Sequence, residues 1–154
     1  MDELAGKVIT ALRGKTLATA ESCTGGMIGS ALTSVAGSSA VYKGGVISYV
    51  NEIKQKLLNV PADLLENRGA VSKEVAEAMA VGVKTALNAD IAVSVTGLAG
   101  PGGDDFGNPV GTVFIGYCDE KTCMSLEYHF AGDRNAVREQ AAKAAFGLIL
   151  EHNR

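Results

Sequence analysis

With 154 residues, 47% hydrophobic and 20% charged, the chain has the length of one domain and enough apolar side chains for a core of its own, which excludes disordered and fibrous classes. A net charge of −3 with no Lys/Arg cluster argues against a nucleic-acid partner, because phosphate backbones need a basic face. No apolar run approaches the roughly 20 residues of a membrane span, and Met1-Asp2-Glu3 shows no basic, hydrophobic leader; a cytoplasmic protein without a membrane partner is expected.

Leu4, Val8, Ile9 and Leu12 recur at helical spacing and predict a first amphipathic helix, which Gly14 can end. Thr16 to Ala20 reads as a short strand leaving through Glu21-Ser22. Thr24-Gly25-Gly26 then leads into a helix from Met27 to Val35. Val41 to Ser48 predicts a second strand, and Asn51 is the expected N-cap of a helix over Glu52 to Leu58 that Pro61 closes. Ser72 caps a long helix with Val75, Ala76, Met79, Ala80 and Val83 as its buried stripe. Ile91 to Thr96 is a nearly unbroken apolar run, the pattern of a strand covered on both faces. The glycine-rich loop Gly97 to Gly103 follows it. Gly111 to Tyr117 and Cys123 to Phe130 flank Asp119-Glu120-Lys121-Thr122 as a hairpin. The last helix runs from about Asn135 to Glu151 with Val137, Ala141, Ala144, Ala145 and Leu148 inward. This alternation predicts an α/β fold: one three-layer α/β/α domain over residues 1–154 with a mixed, mostly parallel sheet.

Cys23, Cys118 and Cys123 are odd in number and lack CxxC spacing, so neither a disulfide framework nor a zinc site is expected. His129 and His152 are too few for a histidine-rich metal centre, and no motif asks for a metal or cofactor.

Ser22 stands at a strand-to-helix junction. Unpaired backbone N–H groups at the helix start could stabilise an oxyanion formed when its hydroxyl attacks a carbonyl. Ser22 or Thr24 reads equally well as an N-cap. A serine nucleophile needs a base, and Lys54 in the first turn of its helix is the candidate, because the helix dipole and burial both disfavour its charge. Tyr49 could orient Lys54 or relay a proton, and Lys56, on another face, reads as the solvated lysine. Thr96-Gly97-Leu98-Ala99-Gly100-Pro101-Gly102-Gly103 is neither a Walker loop nor a GxGxxG fingerprint, yet its backbone can approach a ligand and cradle a phosphate. Arg134 and Arg138 sit near a helix start, where the dipole disfavours cations. They suggest either an anionic ligand or salt bridges with Asp133 or Glu139. Cys23 is a rival nucleophile or a small buried side chain.

The blocks Ala20-Glu21-Ser22-Cys23-Thr24-Gly25-Gly26, Ser48 to Lys54, Val95 to Gly103, Pro109-Val110-Gly111-Thr112-Val113 and Gly132-Asp133-Arg134 occur in this order. Together, over essentially the whole chain, they resemble the CinA C-terminal domain family. The resemblance implies a nicotinamide-nucleotide amidase, converting nicotinamide mononucleotide to nicotinic acid mononucleotide and ammonia in pyridine-nucleotide recycling, without metal or cofactor. By the match of motifs it implies Ser22 as nucleophile, Lys54 as base and Tyr49 as assistant. The implied substrate contacts are Cys23, Thr24, Gly25, Gly26, Thr96, Gly97, Ala99, Gly100, Gly102 and Gly103, with Arg134 on the phosphate. A small-molecule nucleotide substrate and a homo-oligomer, a dimer favoured, are the expected partners. The pyrophosphatase-associated domain that precedes this one in many relatives is not in the sequence, so a stand-alone amidase is expected. The competing readings are a non-catalytic nucleotide-binding or regulatory module, a broader carboxamidase and a DNA-associated accessory protein. Asp104-Asp105, just after Gly103, would oppose a phosphate unless they point away.

Overall fold

The computed structural model describes residues 1–154. Its elements run α1 (Asp2–Ala11), β1 (Leu17–Glu21), α2 (Met27–Thr33), a 3-10 turn (Ser38–Ala40), β2 (Tyr42–Ile47), α3 (Asn51–Leu58), α4 (Ala62–Arg68), α5 (Lys73–Leu87), β3 (Ile91–Gly97), β4 (Thr112–Cys118), β5 (Cys123–His129) and α6 (Arg134–His152). The five strands form one sheet in the order β2-β1-β3-β4-β5. β1 pairs in parallel with β2 and β3, whereas β3–β4 and β4–β5 are antiparallel. The sheet is mixed as expected, but its pairings divide evenly, so it is less parallel than predicted. The cause lies between β3 and β4: residues 98–111 contain no helix, and a parallel neighbour needs a helical or equally long crossover.

Side-chain alternation along the strands builds the three layers. Leu17, Ile91, Val93 and Val95 point to one face, where they pack with Val8 and Leu12 at the α1 end, Ile28 and Leu32 of α2, and Val137, Phe146 and Ile149 of α6. Ala18, Ala20 and Ala92 point to the other, against Leu58 of α3, Leu65 of α4 and Val75, Met79 and Val83 of α5. Small residues on that second face let α5 lie close to the sheet.

Three local readings need correction. Asn51 is the first residue of α3 rather than its cap. Val50 holds the cap position in an extended conformation, and no side chain bonds the helix start. Pro61, read as a terminator, also opens α4, a helix the sequence reading missed; a fixed φ near −65° suits a helix start as well as a break. Cys118 and Cys123 face each other across the β4–β5 hairpin and are joined by a disulfide, leaving Cys23 as the free thiol. The Ser72 cap is present, its hydroxyl accepting from the Val75 N–H at 3.3 Å.

α3 is seated on α5 at Gly82, where a Cβ would overlap the Leu58 carbonyl. Gly82→Ala is therefore expected to lower stability by about 1–3 kcal/mol despite alanine's better helix propensity, visible as a lower Tm in thermal melts. No helix is long and apolar enough to cross a membrane.

Candidate active site

β1, β2 and β3 run parallel, so their carboxyl ends lie on the same edge of the sheet. The segments that follow them meet there around a cleft of about 480 Å³. Ser22 leaves β1 in a tight turn: its N–H donates to the Val95 carbonyl at 3.0 Å, and Gly25 N–H returns to the Ser22 carbonyl at 3.1 Å. Lys54 is the fourth residue of α3 and only 1% exposed. Its Nζ donates to Ser22 Oγ at 2.9 Å, to the Ser48 carbonyl at 2.7 Å and to the Tyr49 carbonyl at 3.0 Å. Ser22 Oγ in turn donates to the Tyr49 carbonyl at 3.3 Å.

Burial is the main cause of the low basicity of Lys54, whose pKa falls from 10.5 to about 8; Cys23 pushes weakly the other way. The two carbonyls matter for the same reason. A neutral amine has two N–H groups, enough for Ser48 and Tyr49, and one lone pair, which is left for the proton of Ser22. Cys23 is not poised as a rival nucleophile. Burial raises its thiol to about 11, outweighing the attraction of Arg138 and Lys54.

The start of α2 does not supply the oxyanion donors expected of it. The buried carboxylate of Glu21 occupies that position, accepting from Thr24 Oγ1 at 2.7 Å, Gly26 N–H at 3.2 Å, Ile28 N–H at 2.9 Å and Gly29 N–H at 3.0 Å. An anion belongs at a helix N-terminus, and here the protein provides its own. The N–H groups of Cys23 and Thr24, within the turn itself, donate to no oxygen of the chain, and of the two residues only Cys23 lines the cleft.

Ser22, Cys23, Tyr49, Lys54, Thr96, Gly97, Ala99, Gly100, Gly102 and Arg134 all line the cleft. Thr24, Gly25, Gly26 and Gly103 do not. The Thr24 hydroxyl is committed to Glu21. Gly25 and Gly26 have φ of 60° and 104° and carry the chain from the turn into α2. Gly103 lies past the cleft beside the Asn108 carbonyl. Thr96 lines the cleft but spends its hydroxyl on the Ala70 carbonyl at 2.7 Å. Ala70, Val71, Leu98 and Pro101 complete the walls. Nothing in the sequence marked Ala70 and Val71. They are drawn in by Thr96 and by Asn108 Nδ2, which donates to the Val71 carbonyl at 3.2 Å.

Tyr49 reaches Lys54 and Ser22 through its backbone. Its carbonyl, not its phenol, contacts Lys54 and Ser22, while the phenol oxygen accepts from Arg134 Nη2 at 3.0 Å. Arg134 also donates through Nη1 to the Gly100 carbonyl, so it joins the glycine-rich loop to Tyr49 at the cleft edge. Gly100 has φ of 93°, and a Cβ there would run into Val110; a non-glycine residue would distort the loop that presents this carbonyl. Neither Arg134 nor Arg138 pairs with Asp133 or Glu139. Asp133 instead caps α6, accepting from Ala136 N–H at 2.9 Å. Asp104 turns into its own loop, accepting from Phe106 and Asn108. Lys54 and Arg134 are thus the charged side chains of the cleft, and no carboxylate lines it. No group of three His, Cys, Asp or Glu side chains is placed to hold a metal ion.

Comparison with known proteins places this architecture. The family model described as the CinA C-terminal domain matches residues 1–152. The chain is 49% identical to a CinA-like protein of Geobacter sulfurreducens over 137 residues, 89% of this chain and 33% of the relative. It is 45% identical to a CinA-like protein of Thermotoga maritima over 154 residues, covering 98% of this chain and 38% of the relative. The chain therefore spans about a third of the length of these curated relatives. Among solved structures, the competence/damage inducible protein CihA from Agrobacterium tumefaciens superposes with a TM-score of 0.95 at 38% identity, covering 99% of this chain and 95% of that one. A competence or damage-inducible protein from Enterobacter asburiae gives a TM-score of 0.96 at 32% identity, covering 99% of this chain and 98% of that one. A mixed α/β sheet with these motifs in this order, matched over nearly its whole length, makes the chain a member of the CinA C-terminal domain family.

Proposed function

We propose that the protein is an amidohydrolase that deamidates nicotinamide mononucleotide to nicotinic acid mononucleotide and ammonia, with Ser22 as nucleophile and Lys54 as base. The observation that carries this reading is the buried contact of 2.9 Å between Lys54 Nζ and Ser22 Oγ at the floor of the cleft. A lysine kept from water and adjacent to a hydroxyl is a base in waiting, whereas a purely binding pocket has no use for that arrangement.

The steps follow from the geometry. Neutral Lys54 takes the Ser22 proton as Oγ bonds to the carboxamide carbon. The unpaired N–H of Cys23, in the cleft wall beside Ser22, is the donor assigned to the resulting oxyanion. Protonated Lys54 gives its proton to the amide nitrogen, the C–N bond breaks and ammonia leaves. Water, deprotonated by Lys54, attacks the acyl-enzyme, releasing the carboxylate and restoring the Ser22 hydroxyl. The pyridinium charge of the substrate makes its carboxamide a better electrophile than an ordinary amide.

A cleft with two basic side chains and no acidic one suits an anionic substrate even though the chain is acidic overall. Arg134 and the backbone of Gly97 to Gly102 are the groups assigned to the phosphate. Nicotinamide, which lacks the phosphate, is accordingly expected to be turned over with kcat/KM at least about 100-fold lower, since remote binding energy is then lost from the transition state. The deciding test is ammonia release from nicotinamide mononucleotide by the purified protein beside that control. Absence of release from a well-folded protein would leave nucleotide binding as the function of the cleft.

A further inference from the structure

The turn after Ser22 is held from outside by a residue of the last helix. Arg138, in α6, donates from Nε to the Cys23 carbonyl at 2.9 Å and from Nη2 to the Thr24 carbonyl at 3.3 Å. Its Nη1 donates to Asn135 Oδ1 at 3.3 Å, and it joins no ion pair. Gly25 is adjacent: a Cβ there would stand 3.5 Å from Arg138 Nη2. A half-buried guanidinium spent on two successive neutral carbonyls, more than a hundred residues away in sequence, fixes the orientation of two peptide planes.

That orientation has a direction. The sole cis peptide of the chain is Gly100–Pro101, so the Cys23–Thr24 and Thr24–Gly25 peptides are trans, and in a trans peptide C=O and N–H point oppositely. With both carbonyls turned to Arg138, the N–H groups of Thr24 and Gly25 are turned away from it. Gly25 N–H meets the Ser22 carbonyl on that side. Thr24 N–H meets no oxygen, although Thr24 is 0% exposed. Cys23 N–H also meets no oxygen, and Cys23, unlike the fully buried Thr24, lines the cleft beside Ser22.

We propose that Arg138 is a positioning residue of the oxyanion hole: by holding the Cys23 and Thr24 carbonyls it fixes the turn from which Ser22 and the unpaired Cys23 N–H meet the group that Ser22 attacks. This rests on Ser22 being the nucleophile, and it does not depend on which amide is the substrate. Because the donor acts on charge that develops only in the transition state, Arg138 governs kcat rather than KM.

The test uses two readouts on wild type, Arg138→Met and Arg138→Lys. The first is kcat and KM for nicotinamide mononucleotide. The second is the rate at which an alkyl fluorophosphonate modifies Ser22, located by peptide mass spectrometry. In that reaction Ser22 Oγ bonds to phosphorus, its proton passes to Lys54, fluoride leaves, and the phosphoryl oxygen occupies the oxyanion position. Expected is a loss of about 10- to 100-fold in both kcat and phosphonylation rate for Arg138→Met, below the loss from deleting a donor outright. KM should stay within about threefold, and Arg138→Lys should recover part of both rates. Wild-type rates in Arg138→Met, a loss accounted for by its unfolded fraction in thermal melts, or an unreactive wild-type Ser22 would each overturn the proposal. Should Arg138→Met fail to fold, Arg138→Lys and Arg138→Gln decide it: the glutamine variant must react more slowly than the lysine variant at equal foldedness. Phosphonylation that responds to Arg138 in a protein releasing no ammonia would refute the substrate assignment alone.

Discussion

Ser22→Ala is expected to release no ammonia from nicotinamide mononucleotide above background, a loss of at least about 10³-fold in kcat, with substrate affinity kept. The hydroxyl is the atom that Lys54 reaches at 2.9 Å. With alanine in its place, the cleft retains Arg134 and the glycine-rich loop, so nucleotide binding measured by calorimetry should survive. A Ser22→Ala variant with appreciable turnover would sink the nucleophile assignment. The fold should tolerate the change, because the hydroxyl's other contact is a long bond of 3.3 Å to the Tyr49 carbonyl.

Lys54→Met should lower kcat by about 10²- to 10⁴-fold, the range for a positioned general base. In wild type, kcat/KM should climb about tenfold per pH unit below pH 8 and level off above it, because the amine works only when neutral and its pKa is about 8. That rising limb should disappear in Lys54→Met; its persistence there would assign the ionisation to another group. Stability carries a second imprint of the same shift, at higher pH. Between pH 8 and 10.5 the unfolded chain binds more protons at Lys54 than the folded chain, so stability rises with pH across this window. Below about 8 both states are protonated and the full penalty is felt, on the order of 3 kcal/mol. Removing the buried charge offsets the loss of donors to the Ser48 and Tyr49 carbonyls, so Lys54→Met should melt no lower than wild type at pH 7. That comparison separates lost chemistry from lost structure.

Apolar patterning together with cap and turn residues located all five strands and five of the six helices. α4 escaped because seven residues, Ala62–Arg68, are too few to show a repeat, and Pro61 reads as a stop. The antiparallel turn of the sheet was legible in part: parallel crossovers usually run through a helix, and the glycine-rich connection between β3 and β4 contains none. For the site, residue types were informative and partners were not. Lys54 reads as a depressed lysine from its place near a helix start and from burial, and burial, a tertiary property, is the main cause. Tyr49 reads as a residue that orients Lys54 or relays a proton, and it is its backbone oxygen that touches Lys54 and Ser22. Glu21 carried no signal, because a carboxylate at a strand exit is ordinarily solvated. Its role depends on α2 folding back so that four donors close around it.

The long reach of Arg138 has a temporal consequence. Domains form from the amino-terminal side as the chain is made, at about 5–20 residues per second. Ser22 and Lys54 are translated before Arg134 and Arg138, which belong to α6. A ribosome-bound chain lacking α6 holds the serine and its lysine, but has neither the guanidinium that orients the turn nor the one that ties the loop to Tyr49. On the proposed roles of Ser22 and Arg138, reactivity at Ser22 waits for α6 to be translated, and a shorter nascent chain carries that serine in an unfinished setting.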